Sequence, residues 1–281
     1  MAQGFSRGSG RRGSRRFPMP YVTPPWTQII AHRGNSGPLP ENTLIAIDSA
    51  IELGVDMVEI DVRLTKDGVP ILMHSDRVDD TTSGTGLVAS LTWEELMVLD
   101  AGSWRGPEFA GQSLCSLQEV LESTAGRVAL NLDIKDPAAA EPTVIAAVGA
   151  GASAGVAITG CGEPCIRRVG SLTSGISTLL NLDELLAGID PTEAPAVALR
   201  SIDTAADIGA VAINVPHTLV DTNLVDKAHN AGIGVWAFTI DDETRFVELM
   251  DMGVDSLTTN WPERMLPLAR DRISKDRINH P

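Results

Sequence analysis

Short apolar segments alternate with helix-like segments along most of the chain after residue 26. Nine segments have the apolar, often β-branched composition of strands, at residues 27–31, 56–64, 69–73, 128–135, 155–159, 175–181, 210–215, 233–239 and 255–259. Helix-like segments lie between most of them, at 42–54, 117–124, 141–150, 163–169, 204–208, 221–230 and 242–252. Repeated alternation of strand and helix with short joins predicts a parallel sheet. A strand count near eight favours closure into a TIM (β/α)8 barrel over an open, doubly wound sheet.

The first helix-like segment has clear start and stop signals. Asn42 is a suitable N-cap, because its side chain can accept a hydrogen bond from the first helical turn. Leu44, Ile47 and Ile51 then share one face at helical spacing, and Gly54 is typical of a helix end. The segment therefore predicts a helix that packs one apolar side onto the sheet.

Residues 75–115 break this alternation. They contain a run of Thr, Ser and Gly at 81–86, one short helix and a polar stretch rich in Gly. About forty residues is long for a connection in a compact barrel, which favours a functional insertion or lid. We therefore expect one barrel domain over 27–270, with this small insertion after the third strand candidate. The flanking segments would be a disordered basic tail with its lead-in at 1–26 and a C-terminal tail at 271–281.

Composition and charge narrow the function classes. Apolar residues make up 43% of the chain and aromatic residues only 4%, which suits a core of Val, Ile, Leu and Ala. The formal net charge is −15, and the first 17 residues carry five Arg and no acid, so the rest carries about −20. Such an acidic body repels nucleic acid and attracts divalent cations. A nucleic-acid enzyme is therefore disfavoured.

Two further features bear on location. No segment approaches the ~18 apolar residues of a membrane helix, so we expect no integral membrane segment and a cytoplasmic protein. The three cysteines, Cys115, Cys161 and Cys165, leave at least one unpaired, which predicts no disulfide framework. We expect them to be ordinary small, partly buried residues.

Two acids interrupt the apolar strand candidate at 56–64. Glu59 and Asp61 are two residues apart and share one face of the strand, whereas Val58, Ile60 and Val62 face the other way. Like charges on one inward face are costly unless a cation neutralises them. The pattern therefore indicates a cation or a basic partner beside these carboxylates.

A later strand candidate repeats the arrangement with Asp133 and Lys135. Functional groups gather at the carboxyl ends of barrel strands, so three carboxylates would converge there as oxygen ligands that suit Mg²⁺ or Ca²⁺. Arg33 and Lys135 would then bind a phosphoryl group, Arg by its planar fork and Lys as a point charge. His32 and His74 follow the first and third strand candidates and would lie at the same rim.

Several motifs resemble those of the glycerophosphodiester phosphodiesterase family. They lie at 31–34 (Ala-His-Arg-Gly), 40–43 (Pro-Glu-Asn-Thr), 54–56, 59–68, 99–104, 231–233 and 253–262, together with Pro70, His74 and Trp236. The resemblance spans about residues 27–266 and is most specific over 31–74. It implies a TIM barrel that hydrolyses a small-molecule glycerophosphodiester to sn-glycerol 3-phosphate and an alcohol.

The resemblance also assigns the central roles. It implies a divalent metal ion, Mg²⁺ or Ca²⁺, held by Glu59, Asp61 and Asp133. It implies that His32 and His74 form the acid/base pair of the reaction.

Substrate contacts follow from the same resemblance. Arg33 and Lys135 would lie on the phosphate. Glu41 belongs to the second motif, and it either faces the substrate or forms hydrogen bonds where the loop joins the helix. Trp236 either stacks on the substrate alcohol or packs in the core.

The chain departs from the family pattern at three positions. Asp133 stands where the family usually has Glu, Ser75 follows the second histidine where Asp is usual, and Asp80 stands where Arg commonly precedes the Thr pair. Two other functions stay open. An enzyme of the lysophospholipase D or sphingomyelinase D type would share the site but need an apolar groove. A non-catalytic binding barrel would use its insertion to hold a partner.

Overall fold

The computed structural model describes residues 26–160 and 162–279, except for the side chains of residues 273–279. The predicted basic tail up to residue 25 lies outside the described residues, as do Cys161 and His280. Within the described part of the chain, no helix is both long enough and apolar enough to cross a lipid bilayer.

Nine strands form one sheet, and eight of them close into a parallel barrel. The strands are β1 (Gln28–His32), β2 (Met57–Leu64), β3 (Pro70–Leu72), β4 (Ala129–Ile134), β5 (Val156–Thr159), β6 (Ser177–Asn181), β7 (Ala212–Pro216), β8 (Gly234–Phe238) and β9 (Ser256–Thr259). β1 pairs in parallel with both β2 and β9, which closes the ring and excludes the open sheet. β3 lies outside the ring, antiparallel to the end of β2. The predicted TIM barrel is confirmed.

Ten helices accompany the strands in the described residues. They are α1 (Leu44–Leu53), α2 (Trp93–Leu96), α3 (Leu117–Thr124), α4 (Ala140–Gly149), α5 (Glu163–Leu172), α6 (Asp183–Leu186), α7 (Ala194–Ile208), α8 (Thr222–Asn230), α9 (Glu243–Asp251) and α10 (Pro262–Asn279). The sequence pattern predicted only the last third of α7, because the buried face of its first turns carries small residues such as Ala194, Ala198 and Ser201. It missed α6 and α10 altogether.

The strands separate an apolar outer layer from a polar inner rim. Val58, Ile60 and Val62 of β2 are fully buried in the main core under the helices, as their spacing predicted. A smaller apolar cluster, which includes Ile30 and Trp236, fills the barrel interior. Above this cluster the inward positions turn polar at the carboxyl ends of the strands, and these positions form the candidate site.

The chain between β3 and α3 has an apolar cluster of its own. It is built on Ile71, Met73, Val78, Val88, Leu96, Ala101 and Leu114. The carboxylate of Asp100 accepts hydrogen bonds from the backbone nitrogens of Gly102, Ser103 and Gly111 and from the hydroxyl of Ser103. One side chain therefore holds together a loop that has little regular structure.

The cysteines differ from one another. Cys115 is buried and free. Cys165 is buried near the start of α5 and is disulfide-bonded, which the expectation of ordinary small, partly buried cysteines did not include. Composition and spacing carried no signal for this bond.

Candidate active site

Three acids converge at the carboxyl end of the barrel. Glu59 and Asp61 extend inward from β2, and Asp133 lies opposite Asp61 on the neighbouring strand β4. One oxygen from each carboxylate lies within 4.8 Å of the others. All three residues are buried, with at most 8% of their surface exposed. The predicted metal ligands are thus brought together at one point.

Two cations flank this acidic cluster. Lys135 Nζ lies 3.2 Å from Asp61 Oδ1 and 3.0 Å from Asp133 Oδ2. Arg33 Nε lies 3.1 Å from Asp61 Oδ2, and its guanidinium also donates to Glu41 Oε1 at 2.8 Å. Burial opposes ionisation of Asp61, but Lys135 and Arg33 lower its pKa to about 2. Asp61 is therefore the fully charged centre of the cluster.

The other two carboxylates each keep one oxygen without a partner. Glu59 Oε1 and Asp133 Oδ1 are buried and have no hydrogen-bond partner in the described part of the chain. Burial and the charges of Asp61 and Asp133 raise the pKa of Glu59, and burial raises the pKa of Asp133 to about 6. Buried carboxylate oxygens without partners are costly, and a hard divalent cation such as Mg²⁺ or Ca²⁺ would satisfy them. The donor set fits such an ion.

Asn42 holds Asp61 in place, and the sequence pattern misread its role. Its amide nitrogen donates to Asp61 Oδ2 at 2.8 Å, and its amide oxygen accepts from the Asp61 backbone nitrogen at 3.1 Å. The N-cap of α1 is instead Thr43. Asn42 has a φ of 57°, a left-handed conformation that Asn tolerates better than most residues. This backbone turn directs its amide toward β2.

Gly160 leaves room for the third acid. It follows β5 with a φ of +77°, and a Cβ atom here would overlap Asp133 Oδ1. A larger residue would therefore displace the Asp133 carboxylate, besides straining the backbone. Gly160 thus approaches the Asp133 oxygen that Lys135 does not contact.

His32 is held by a chain of hydrogen bonds. Its Nδ1 lies 2.6 Å from Asn260 Oδ1, which also accepts from the Ser36 hydroxyl. The amide nitrogen of Asn260 donates to Asp241 Oδ2, which fixes the orientation of the amide because a carboxylate only accepts. Nδ1 of His32 therefore carries the proton, and Nε2 presents its lone pair toward Glu59, 3.9 Å away. Burial and the charge of Arg33 lower the His32 pKa to about 4, so the ring is neutral near pH 7.

His74 lies two residues after the end of β3 and lines the site. Its backbone carbonyl accepts a hydrogen bond from Arg63 Nε at 2.8 Å, which anchors the segment to β2. Burial lowers its pKa. His74 and His32 line the same cavity of about 180 Å³.

The lining of this catalytic cavity is polar. It is formed by His32, Arg33, Glu59, His74, Asn131, Asp133, Lys135, Asn181, Asp183, Asn214, Phe238, Thr239 and Thr258. Glu41 reaches the site only through Arg33. Trp236 is fully buried in the barrel interior and does not line the cavity, so its position corresponds to the core role.

Comparisons with known proteins show the family of this chain. Residues 32–264 match the model of the glycerophosphoryl diester phosphodiesterase family. The chain belongs to this family. A glycerophosphodiester phosphodiesterase of Caldanaerobacter subterraneus is 32% identical over 250 residues, which cover 87% of this chain and 98% of that protein. One from Bacillus subtilis is 27% identical over 260 residues and 86% of each chain.

Solved structures of the family share the fold. An Oleispira antarctica phosphodiesterase in complex with the product sn-glycerol-3-phosphate superimposes with a TM-score of 0.75 at 28% identity. The match covers 88% of this chain and 97% of that one. A glycerophosphodiester phosphodiesterase from Agrobacterium tumefaciens gives a TM-score of 0.71 at 26% identity, over 85% and 98% of the two chains.

Sequence reasoning missed residues that lie inside the family motifs it used. Asn42 belongs to the motif at 40–43, and Asn260 belongs to the motif at 253–262. The amides Asn131, Asn181 and Asn214, on the inner face of three barrel strands, were not singled out either. An asparagine at an inward-facing strand position could have indicated these residues, because a buried amide needs a hydrogen-bond partner or a ligand.

Proposed function

We propose that this chain hydrolyses glycerophosphodiesters to sn-glycerol 3-phosphate and an alcohol, with a divalent metal ion and a pair of histidines. One observation carries the proposal: three buried carboxylates with unpartnered oxygens share a cavity with His32 and His74. A phosphodiester is anionic and resists attack. Its hydrolysis requires charge neutralisation, an activated nucleophile and a proton for the leaving alkoxide.

Charge neutralisation would come from a metal ion bound at the acidic cluster and from the two cations that flank this cluster. Glu59, Asp61 and Asp133 would hold Mg²⁺ or Ca²⁺. When bound, such an ion supplies a positive charge that stabilises the negative charge growing on the phosphate oxygens. Lys135 and Arg33 contact the same acids, so their charges lie where the phosphate would bind, and Glu41 keeps the Arg33 fork in place.

His32 serves as the general base. It is neutral near pH 7, and its Nε2 lone pair is free to accept the proton of the attacking oxygen, whether a substrate glycerol hydroxyl or water. His74 lines the same cavity, and in its imidazolium form it would protonate the leaving alkoxide. Each proton transfer is worth about 10²–10⁴-fold in rate.

The cavity disfavours a lipid substrate. Phe238 is the one apolar side chain among the 13 residues that line it, whereas an enzyme of the lysophospholipase D type requires an apolar groove for the acyl chain. A small, water-soluble diester suits this lining better. A non-catalytic barrel would not need a partly buried histidine with a free lone pair beside a cluster of carboxylates.

The test is an assay of glycerol phosphate release from several glycerophosphodiesters, beside an assay of choline release from a lysolipid. We expect turnover of the former only. His32→Ala and His74→Ala should each reduce kcat by about 100-fold or more, with unchanged circular dichroism. Mild effects of both substitutions would remove the histidine assignment, and choline release from lysolipid alone would favour the lipid enzyme.

A further inference from the structure

Asn131 is a buried amide on the inner face of β4. It is 2% exposed, and it lines the catalytic cavity. We infer that its amide nitrogen donates a hydrogen bond to a phosphoryl oxygen of the substrate, and that Thr159 on β5 positions this amide. The inference rests on the proposed function and deepens it by adding a phosphate-binding residue and the residue that orients it.

The hydroxyl of Thr159 fixes the orientation of the Asn131 amide. It donates to Asn131 Oδ1 at 2.9 Å. Thr159 is 0% exposed, and Asn131 Oδ1 is the acceptor for its hydroxyl among the described residues. A buried hydroxyl needs an acceptor for its proton, and a rotated amide would offer it a nitrogen, which only donates. The amide oxygen is therefore held by Thr159, and the amide nitrogen is the free end.

This nitrogen is available to a ligand. Asn131 Nδ2 has no hydrogen-bond partner in the described part of the chain. Glu59 lies opposite Asn131 on β2, yet Glu59 Oε1 is also without a partner, so the amide is not engaged by this neighbouring carboxylate. A buried donor of this kind is costly unless a ligand accepts its hydrogen bond. The unpartnered amide nitrogen therefore indicates a ligand with an acceptor atom in the cavity.

The surroundings of Asn131 favour a phosphoryl oxygen as that acceptor. Asn131 and Asp133 share the inner face of β4, and Lys135 continues this face one residue after the strand ends. Glu59, a second member of the acidic cluster, is the register partner of Asn131. An anion bound at Lys135 and at a cation held by these acids therefore lies beside the amide. Phosphoryl oxygens are anionic and only accept, so the hydrogen bond would be charge-assisted.

Such a bond would assist the reaction as well as binding. Negative charge grows on the phosphoryl oxygens during attack, and a donor that is already oriented stabilises it without rearrangement. Thr159 does not line the cavity and acts only through Asn131, so it is a positioning residue. The end of β5 thereby supports two residues of β4, because Thr159 orients Asn131 and Gly160 leaves room for Asp133.

The first test is the binding of inorganic phosphate, measured by titration calorimetry in the presence of Mg²⁺. Asn131→Ala should weaken phosphate binding by about tenfold or more, because a hydrogen bond to a charged group is lost. Thr159→Val should weaken it by about threefold, because the amide remains but is no longer fixed. Thr159→Ser keeps the hydroxyl and should recover most of the affinity.

Thr143→Val is the matched control for the loss of a buried threonine hydroxyl. Thr143 is also 0% exposed, but it lies on α4, and its hydroxyl has no hydrogen-bond partner among the described residues. Its variant should bind phosphate as the wild-type protein does. Circular dichroism checks the fold of each variant, and Thr159→Val tests the same contact without changing the lining of the cavity.

The second test separates phosphate from the other partners that the amide could have. In Asn131→Ala, the inhibition constant of sn-glycerol 3-phosphate should rise by the same factor as the dissociation constant of phosphate. The affinity for Mg²⁺ should stay at the wild-type value, because the amide nitrogen is a donor and cannot bind a cation. The kcat for a glycerophosphodiester should fall by about 100-fold.

Several results would overturn the inference. No phosphate binding by the wild-type protein, or equal phosphate affinity in Asn131→Ala, would remove the contact. A loss for sn-glycerol 3-phosphate alone would give the amide to a glycerol hydroxyl, and a parallel loss of Mg²⁺ affinity would give it to the metal site. Equal losses in Thr159→Val and Thr159→Ser would remove the positioning role of Thr159.

Failure of the proposed function has a different signature. A wild-type protein that cleaves no glycerophosphodiester would refute the proposed function. Phosphate binding that still weakens in Asn131→Ala and Thr159→Val would then support the phosphate contact by itself, so the two failures can be told apart.

Discussion

Nδ1 of His32 lies 2.6 Å from Oδ1 of Asn260, and this contact decides which ring nitrogen is left without that partner in the cavity. Asp241 fixes the Asn260 amide, so the amide oxygen is the group turned toward the histidine. The proton of the neutral ring is thereby held on Nδ1. Nε2 is left with its lone pair, as the proposed role of general base at one defined atom requires.

Asn260→Ala should lower kcat without unfolding the protein. Without its acceptor, the His32 ring would lose its fixed tautomer and orientation, and partners of this kind are typically worth about 10- to 100-fold in activity. KM should change little, because Asn260 does not line the cavity. The matched control is Ser36→Ala, which removes a hydroxyl that donates to Asn260 Oδ1 and to the His32 backbone carbonyl but leaves the contact of the His32 ring with Asn260. Equal kinetics of the two variants would contradict the positioning role.

Gly160→Ala should weaken metal binding by displacing Asp133. Gly188→Ala is the matched control, because Gly188 has a φ of +75°, close to the +77° of Gly160, but open space around its Cβ position. Both substitutions introduce the same backbone strain, and only the first meets a carboxylate. Titration calorimetry with Mg²⁺ or Ca²⁺ should show an affinity loss of about 10-fold or more for Gly160→Ala alone. A similar loss in both variants would indicate strain rather than displacement.

Metal affinity should decrease as the pH falls below about 6. The pKa values of Glu59 and Asp133 are raised, the latter to about 6, so protons compete with the metal for these carboxylates in this range. Each displaced proton changes the apparent affinity about tenfold per pH unit below that value. Calorimetry between pH 5 and 8 measures the slope, and saturating metal should recover binding at pH 5. An affinity that stays flat across this range would contradict the pKa directions.

Asp100 should stabilise the loop between β3 and α3 in a pH-dependent manner. Its hydrogen bonds to the backbone of Ser103, Gly111 and Gly102 hold its pKa below the usual value. A carboxyl group with a depressed folded-state pKa stabilises the protein above its unfolded-state pKa, near 4, and loses this contribution as the pH falls further. Asp100→Asn should therefore lower the Tm at pH 7, and this loss should shrink progressively as the pH falls from about 4 toward about 2. A Tm difference that does not depend on pH would assign the effect to packing.

Local pattern was sufficient to predict the barrel and the acidic cluster. The alternation of Val58, Ile60 and Val62 with Glu59 and Asp61 defines both faces of β2 within six residues. Parallel pairing then brings Asp133 opposite Asp61. The two faces of β2 follow from the alternation of side chains along a strand, and the convergence of the acids follows from the parallel pairing of β2 with β4.

Residues that support the site could not be derived in this way. Asn42 and Asp61 are 19 positions apart, and His32 and Asn260 are 228 apart, so each contact depends on how distant segments meet in space. An asparagine before a helix is usually a cap, and this local rule gave the wrong role for Asn42. The first turns of α7 were missed for a different reason, because small buried residues give a weak apolar pattern.

The most direct test of the metal site is turnover of a glycerophosphodiester by enzyme stripped with a chelator, before and after addition of Mg²⁺ or Ca²⁺. Asp133→Asn, which keeps the shape of the side chain and removes its charge, is measured in parallel. The stripped wild-type enzyme should be inactive and recover with metal, whereas Asp133→Asn should recover little at the same concentration. Full turnover by the stripped wild-type enzyme would contradict a metal-dependent site at Glu59, Asp61 and Asp133.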